Sequence, residues 1–396
     1  MGALDDIRVL EVGTLLAGPF SGRLFGDFGA EVIKIEPPDR EDPMRKWGKQ
    51  IDGLGLVWPV QSRNKKSITL NLREPEGQEV FRELAAKADV VIENFRPGTM
   101  EKWGLGYEDL EKVNPRIIFV RTSGYGQTGP YSKRAGFGTV GEAMGGIRFV
   151  TGYPDRPPTR LGISIGDSLA AVYATIGCLA ALHERSISGH GQVVDTAIYE
   201  AVFSMMEGLV PEYDLTGYVK ERTGNILPGI APSNVYKTKE DDYIVMGANS
   251  DTVFKRLVEA MGQPELASDP RYCSHTARGE NMEELDKTIE AWTSTLETDL
   301  LLSILAESGV PSGKIYSVKD IVNDPQYLAR DMVLNVDHPY FGKIKMPGIV
   351  PKLSRTPGEV KAPGSTRLGE HNKSVYTELL GYSSEKMEWL KGKNII

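Results

Sequence analysis

With 396 residues, 46 Lys plus Arg against 54 Asp plus Glu, and a formal net charge of −8, the chain is long enough for two or three domains. Its acidic balance excludes a general nucleic-acid binder, which needs a basic face to meet phosphates. Two distant cysteines, Cys178 and Cys273, exclude a disulfide framework or a zinc ribbon. No apolar stretch reads as long enough to span a bilayer and the first residues carry no signal-peptide pattern, so a cytoplasmic protein with no membrane partner is expected.

Residues 1–125 alternate short β-branched runs with longer helical ones. Strands are predicted at 7–12, 31–35, 67–72, 89–93 and 117–122, and helices at 19–28, 75–88 and 107–113. Val90-Val91-Ile92 is apolar without alternation, as in a strand covered on both faces. Repeated strand–helix–strand units imply an α/β fold with a mostly parallel, Rossmann-like sheet. Residues 123–166 are rich in Gly and Pro, and so long an irregular stretch is usually functional. An Ala/Leu-rich helix follows at 168–184, with Leu169, Val172, Ile176, Leu179 and Leu182 as its expected buried positions. A strand at 192–197 and a Met-rich helix to 207 come next, and Met205 and Met206 with Phe203 read as core packing. Beyond 233 a smaller α/β unit is expected, with strands near 234–237 and 243–246 and helices at 251–261, 282–293 and 298–308. Short strands at 331–367 and a helix at 373–390 close the chain. The expected organisation is a large domain in two segments, 1–200 and 330–396, a linker helix and loop at 201–225, and a small domain at 226–329.

The first strand–turn–helix resembles a dinucleotide crossover. Its glycines, Gly13, Gly18 and Gly22, do not follow G-x-G-x-x-G, which disfavours a nicotinamide cofactor. A basic group, Arg63-Asn64-Lys65-Lys66 with Arg73, Arg96 and Lys102, is weighed as phosphate-binding cations against ordinary surface charge. Arg73 and Arg96 fall just beyond predicted strands, at the edge where open α/β sheets bind ligands. Asp167, in Gly166-Asp167-Ser168, reads from composition as a helix N-cap. Its setting after a Gly-rich segment, at a helix start whose amides favour anions, also fits a covalent nucleophile toward an activated acyl group. The absence of G-x-S-x-G, H-E-x-x-H and P-loop patterns argues against serine-hydrolase, zinc-protease and P-loop chemistry, and no metal is expected. His190 is assigned to a turn and His371 to surface capping.

A series of longer stretches is more specific than any of these. In order they are Leu16-Ala17-Gly18-Pro19, Gly29-Ala30-Glu31-Val32-Ile33-Lys34-Ile35-Glu36, Asn64-Lys65-Lys66-Ser67-Ile68, the run from Ala88 through Asn94-Phe95-Arg96-Pro97-Gly98, Ser123-Gly124-Tyr125-Gly126, Gly166-Asp167 and Leu368-Gly369-Glu370-His371. Through them the chain resembles the class III CoA-transferases, the family of formyl-CoA transferase and carnitine CoA-transferase. The resemblance implies that Asp167 attacks an acyl-CoA to give an aspartyl anhydride. Returning CoA thiolate would then give an aspartyl-CoA thioester, from which the incoming acid leaves as the new CoA ester. It implies CoA, a substrate rather than a resident cofactor, along the Rossmann-like sheet. Leu16 and Ala17 would meet its nucleotide end, and Leu70, Asn71, Leu72, Arg73, Asn94, Phe95 and Arg96 would line it, with Lys102 at a phosphate. It further implies an interlocked-ring homodimer.

Two departures from formyl-CoA transferase bear on the substrate. Where that enzyme has an acidic residue after its glycine-rich turn, this chain has Gly136-Phe137-Gly138. The covering loop reads Leu227-Pro228-Gly229-Ile230-Ala231-Pro232, with fewer glycines. The stretch 136–165 is more similar to members that use succinyl-CoA as donor and malate, citramalate, itaconate or mesaconate as acceptor. Such an acceptor needs a cation for its distal carboxylate, and Arg148 or Arg160 is nominated, with Gly136 and Phe137 at the substrate. Two alternatives stay open: a 2-methylacyl-CoA racemase of the same fold, opposed by the lack of His in the Gly-rich region, and a non-catalytic CoA-binding protein.

Overall fold

In a computed structural model, which describes residues 2–396, the β-branched runs of the first two hundred residues pair into a single sheet. Its strands are β1 (Arg8–Glu11), β2 (Glu31–Glu36), β3 (Lys65–Thr69), β4 (Val90–Glu93), β5 (Ile118–Ser123) and β6 (Val193–Ala197). All pair in parallel, in the order β3-β2-β1-β4-β5-β6. This is the doubly wound order, whose direction reverses between β1 and β4, and ligands bind such sheets outside the strand ends at that reversal. The apolar runs lack alternation because both faces are covered. Val9, Val32, Val90, Ile92, Ile118 and Val120 face one core with Phe25 and Ala174. Leu10, Ile33, Ile35, Val91 and Phe119 face the other with Phe81, Leu84 and Tyr376.

The chain divides into two compact units. The first holds the chain up to Ile147, then Leu161–Pro211 and Gln326–Ile396; the second holds Arg148–Arg160 and Glu212–Pro325. The second unit builds its own core, from Tyr236, Ile244, Phe254, Leu257, Leu285, Ile289 and Leu301, on a three-stranded antiparallel sheet of β7 (Ser233–Lys237), β8 (Tyr243–Gly247) and β9 (Ser312–Lys314).

In the first unit, helix α1 (Ala17–Asp27) follows β1, and helix α2 (Pro75–Ala85) covers the opposite face. The long apolar helix runs Ile165–Ser188; it is preceded by the short α3 (Gly138–Met144) and is here α4, with α5 at Ile198–Phe203. Its buried face is not the one expected from its leucines. Ala170, Ala171, Ala174, Cys178 and Ala181 are buried, whereas Val172, Ile176 and Leu179 are exposed, Ile176 by 55%. Small residues face inward because α4 approaches α1 closely enough for Ser21 Oγ to donate to the Ala171 carbonyl at 2.8 Å. This helix is 24 residues long and apolar over most of its length. By length and composition it passes for a membrane span, contrary to expectation, although its alanine face is packed against α1, β5 and β6. Phe203 and Met205 are half exposed rather than core. The helix expected at 373–390 is split into a π-helical turn (Ser374–Leu379) and a second helix (Ser384–Gly392), with Gly381 between them at φ 72°.

The end of the chain completes the outer edge of the sheet. Ser67 N–H donates to His371 Nδ1 at 3.1 Å and the His371 amide to the Ser67 carbonyl at 2.8 Å, so His371 pairs with β3 rather than capping a surface turn. Tyr376 O–H donates to the Thr69 carbonyl at 2.6 Å, and the Asn71 amide to the Ile395 carbonyl at 2.8 Å.

Beneath the β1–α1 turn lies a buried charge network. Lys34 Nζ donates to the Gly13 carbonyl and sits 2.7 Å from Asp42 Oδ2 and 3.3 Å from Glu11 Oε1. Lys65 Nζ is 2.7 Å from Glu11 Oε2 and donates to the Pro19 carbonyl at 2.6 Å. Arg45 grips Glu36 through two bonds of 2.9 and 2.7 Å. Burial acts to lower the Lys34 ammonium, but Asp42, Glu11 and Glu36 outweigh it and hold it above its ordinary value. Removing one member of such a network strands its partner's charge, at a cost of about 3–5 kcal/mol. Lys34→Met is therefore expected to lower unfolding free energy by that amount. Lys66→Met, breaking the more exposed pair with Glu31, should cost under about 1 kcal/mol. Urea unfolding of the two variants measures the difference.

Candidate active site

Asp167 is the third residue of α4, not its N-cap; that position is Ser164, whose side chain makes no cap bond. The first turn is instead held from α3, where Glu142 Oε1 accepts the Gly166 amide at 3.4 Å. The Asp167 carboxylate lies directly on the α-carbon of Gly138, the first residue of α3. A Cβ there would come within 2.5 Å of Asp167 Oδ2. Burial first, and then the like charge of Glu142, push the Asp167 carboxyl up to about 6. At neutral pH it is thus an ionised but poorly solvated carboxylate, the state in which an oxygen nucleophile is most reactive.

A cavity of about 410 Å³ opens at the C-terminal ends of β3, β2, β1 and β4, on the reversal point of the sheet. Of the residues implied for CoA, Leu70, Asn71, Leu72, Arg73 and Phe95 line it. Leu16, Ala17, Asn94, Arg96 and Lys102 do not, nor does Asp167. Asn94 is occupied elsewhere: Oδ1 accepts the Thr14 amide and Nδ2 donates to the Thr14 carbonyl, each at 2.8 Å. Gly13 is required by that clamp, because a Cβ there would meet Asn94 Oδ1 at 2.5 Å. Ala17 is buried at the start of α1. Arg73, Arg96 and Lys102 are exposed. Gly136 packs against Gly124, Phe137 is 69% exposed, and Arg148 and Arg160 bound the 148–160 segment of the second unit.

The basic run 63–66 is structural. Arg63 is buried in a two-bond pair with Asp27 (2.8 and 2.6 Å), Lys65 pairs with Glu11, and Lys66 with Glu31. Conversely, sequence reasoning passed over Arg40, Thr14 and Trp103, which line the cavity, and Glu142. Arg40 follows the end of β2 as Arg73 follows β3, so the rule that singled out Arg73 applies to it equally.

The chain belongs to CoA-transferase family III, whose sequence profile matches residues 4–372. It is an enzyme of that class. Over 394 residues, 99% of this chain and 98% of the relative, it is 56% identical to the succinyl-CoA–D-citramalate CoA-transferase of Chloroflexus aurantiacus. It is 40% identical over 397 residues, again 99% and 98% of the two chains, to the beta subunit of that organism's succinyl-CoA–L-malate CoA-transferase. Among solved structures, a CAIB/BAIF family protein from Brucella suis matches with a TM-score of 0.86 at 34% identity, over 96% of this chain and 99% of that one.

Because the Asp167 carboxylate rests on Gly138, Gly138→Ala must displace one or the other. With Asp167 as the reacting group proposed below, a misplacement of about 1 Å costs about 100-fold in rate. A fall in kcat of that order with an unchanged CoA dissociation constant is expected from steady-state kinetics and calorimetric titration.

Proposed function

We propose that this enzyme moves CoA from succinyl-CoA to a C4–C5 dicarboxylate of the citramalate and malate class, with Asp167 as covalent acceptor. The observation that carries the reading is the setting of Asp167: a desolvated carboxylate on the first turn of a helix, backed by a glycine α-carbon. The names of the two curated relatives supply the donor and the acceptor class.

The chemistry balances without ATP. An Asp167 oxygen attacks the thioester carbon, the C–S bond breaks, and CoA leaves as thiolate. The thiolate attacks the aspartyl carbonyl of the anhydride, releasing succinate and leaving an aspartyl-CoA thioester. An acceptor carboxylate then attacks that aspartyl carbonyl and expels thiolate. The thiolate finally takes the acceptor's acyl carbon and returns Asp167 as carboxylate. Each step exchanges activated carboxyl derivatives, so the site has only to hold the partners in place and exclude water.

In this reading CoA occupies the cavity at the sheet edge. Leu70, Asn71, Leu72, Arg73 and Phe95 form the cavity walls, Leu16 and Ala17 meet the nucleotide end of CoA outside that cavity, and Arg96, Lys102 and Arg40 meet the phosphates of CoA. Asn94 serves by fixing Thr14. The protein acts as a homodimer, a reading supported by the exposed apolar residues Val172, Ile176 and Leu179 of α4 with Phe203 and Met205. Light scattering should therefore find twice the chain mass, and Ile176→Glu should halve it. A wild-type monomer would count against the dimer.

The covalent step is tested by mixing enzyme with succinyl-CoA, trapping with hydroxylamine, and mapping the adduct by mass spectrometry. Modification confined to Asp167 supports the reading, and none with any acyl-CoA would sink it. Asp167→Asn should abolish adduct and turnover. Since the folded-state pKa of Asp167 is raised, its ionisation destabilises the fold progressively as the pH rises from the ordinary carboxylate value of about 4 to about 6, and the loss is complete above that. The variant should then match wild type at about pH 3 and be more stable at pH 8, by up to about 2–3 kcal/mol. A loss of stability with retained turnover would overturn the assignment.

A further inference from the structure

Glu142 takes no part in the transfer steps, yet it is the carboxylate that acts on the one that does. Its residue is 2% exposed, and its Oε1 holds the amide of Gly166, the neighbour of Asp167. A Cβ on Gly166 would meet Glu142 Cγ at 3.0 Å, so no side chain fits between α3 and the first turn of α4. A neutral amide oxygen would accept the same hydrogen bond, without the added attraction of a carboxylate for the helix N-terminus. A carboxylate in that position adds repulsion against Asp167, in surroundings where solvent screens it little.

That repulsion is felt by only one form of Asp167. The free carboxylate carries a negative charge; the anhydride and the aspartyl-CoA thioester carry none on that residue. Whatever opposes the charge therefore favours both covalent forms over the free enzyme, as it favours protonation. The other charged groups on elements packed against α4 are otherwise engaged. Arg23 on α1 lies over the Phe20 ring and beside Asp27, itself bound by Arg63. Arg121 on β5 pairs with Glu93 and Glu101. Asp195 on β6 accepts the Gln127 amide, and Glu200 on α5 accepts the Tyr199 hydroxyl.

We propose that Glu142 is a positioning residue that fixes the first turn of α4 and, through its charge, tilts Asp167 away from the free carboxylate and toward its acylated and CoA-bound forms. This rests on Asp167 being the covalent acceptor. Three measurements on wild type and Glu142→Gln decide it, because Gln keeps an amide oxygen for the Gly166 amide while removing the charge. The acid limb of kcat/KM for succinyl-CoA should move down by about one pH unit, and the fraction of enzyme trapped as adduct without acceptor should fall about tenfold. The pH-dependent stability gain of Asp167→Asn should shrink when made in the Glu142→Gln background, a readout that needs no turnover. Glu142→Asp, which withdraws the charge without removing it, should shift the limb the same way by less, and stands in if the Gln variant does not fold.

An unmoved acid limb and unchanged adduct in Glu142→Gln would overturn the proposal, as would equal losses in Gln and Ala variants with the limb unmoved, which would mean anchoring alone. If wild-type enzyme forms no adduct at Asp167, the covalent reading fails. The stability cycle would still report whether Glu142 acts on the charge of Asp167.

Discussion

The sheet edge that carries the cavity depends on six buried charges that sum to zero. Glu11, Glu36 and Asp42 stand against Lys34, Lys65 and Arg45, all nearly sealed from solvent. Apolar residues of the same volume could fill the space as well, and often do so with no loss of stability. What they could not do is meet main-chain groups. Lys34 takes the Gly13 carbonyl, Lys65 the Pro19 carbonyl, and Asp42 the Leu15 amide at 3.0 Å, while Asn94 secures both polar groups of Thr14. Leu15 is held at φ 64°, which a leucine does not adopt without such support. The network thus dictates the course of the chain from β1 into α1. Gly22 is its counterpart on the helix, since a Cβ there would fall 1.9 Å from Glu11 Oε2.

The same side-chain type is used in opposite ways a short distance along the fold. Asp42 and Glu36 are buried, which alone would raise them, but Lys34 and Arg45 bring both below their ordinary values. They are inert anions whose contribution to stability persists until the pH falls below about 4. Asp167 is desolvated with no cation among the causes acting on it, and is raised. Partnering separates a carboxylate held below its ordinary value from one raised above it, and partnering is decided in three dimensions.

That is why the sheet could be read from the sequence and the charges could not. The strands were legible because β-branched runs such as Val90-Val91-Ile92 report burial on both faces wherever they occur. Arg63 and Lys65 looked like surface cations because a sequence does not say that Asp27 and Glu11 lie beneath them. The buried face of α4 was inverted for a related reason: leucines mark a face that faces a gap of ordinary width, whereas close contact with α1 selects alanine. Asp167 is not the cap that composition suggests, since the helix begins two residues earlier, and a helix start cannot be placed that finely in a Gly-rich stretch. Glu142 carried no local signal at all, because its significance is the residue it faces.

The loop at 70–73, a wall of the cavity, is finished by residues made three hundred positions later. Ser67, Thr69 and Asn71 take their partners from His371, Tyr376 and Ile395, and Leu70 and Leu72 share a core with Val375, Met387 and Ile396. At about 5–20 residues per second, a ribosome reaches those partners roughly 15 to 60 seconds after it has made the loop. During that interval the nascent chain holds an open outer strand and bare apolar side chains on one face of its sheet. The cavity is consequently among the last parts of this enzyme to be completed.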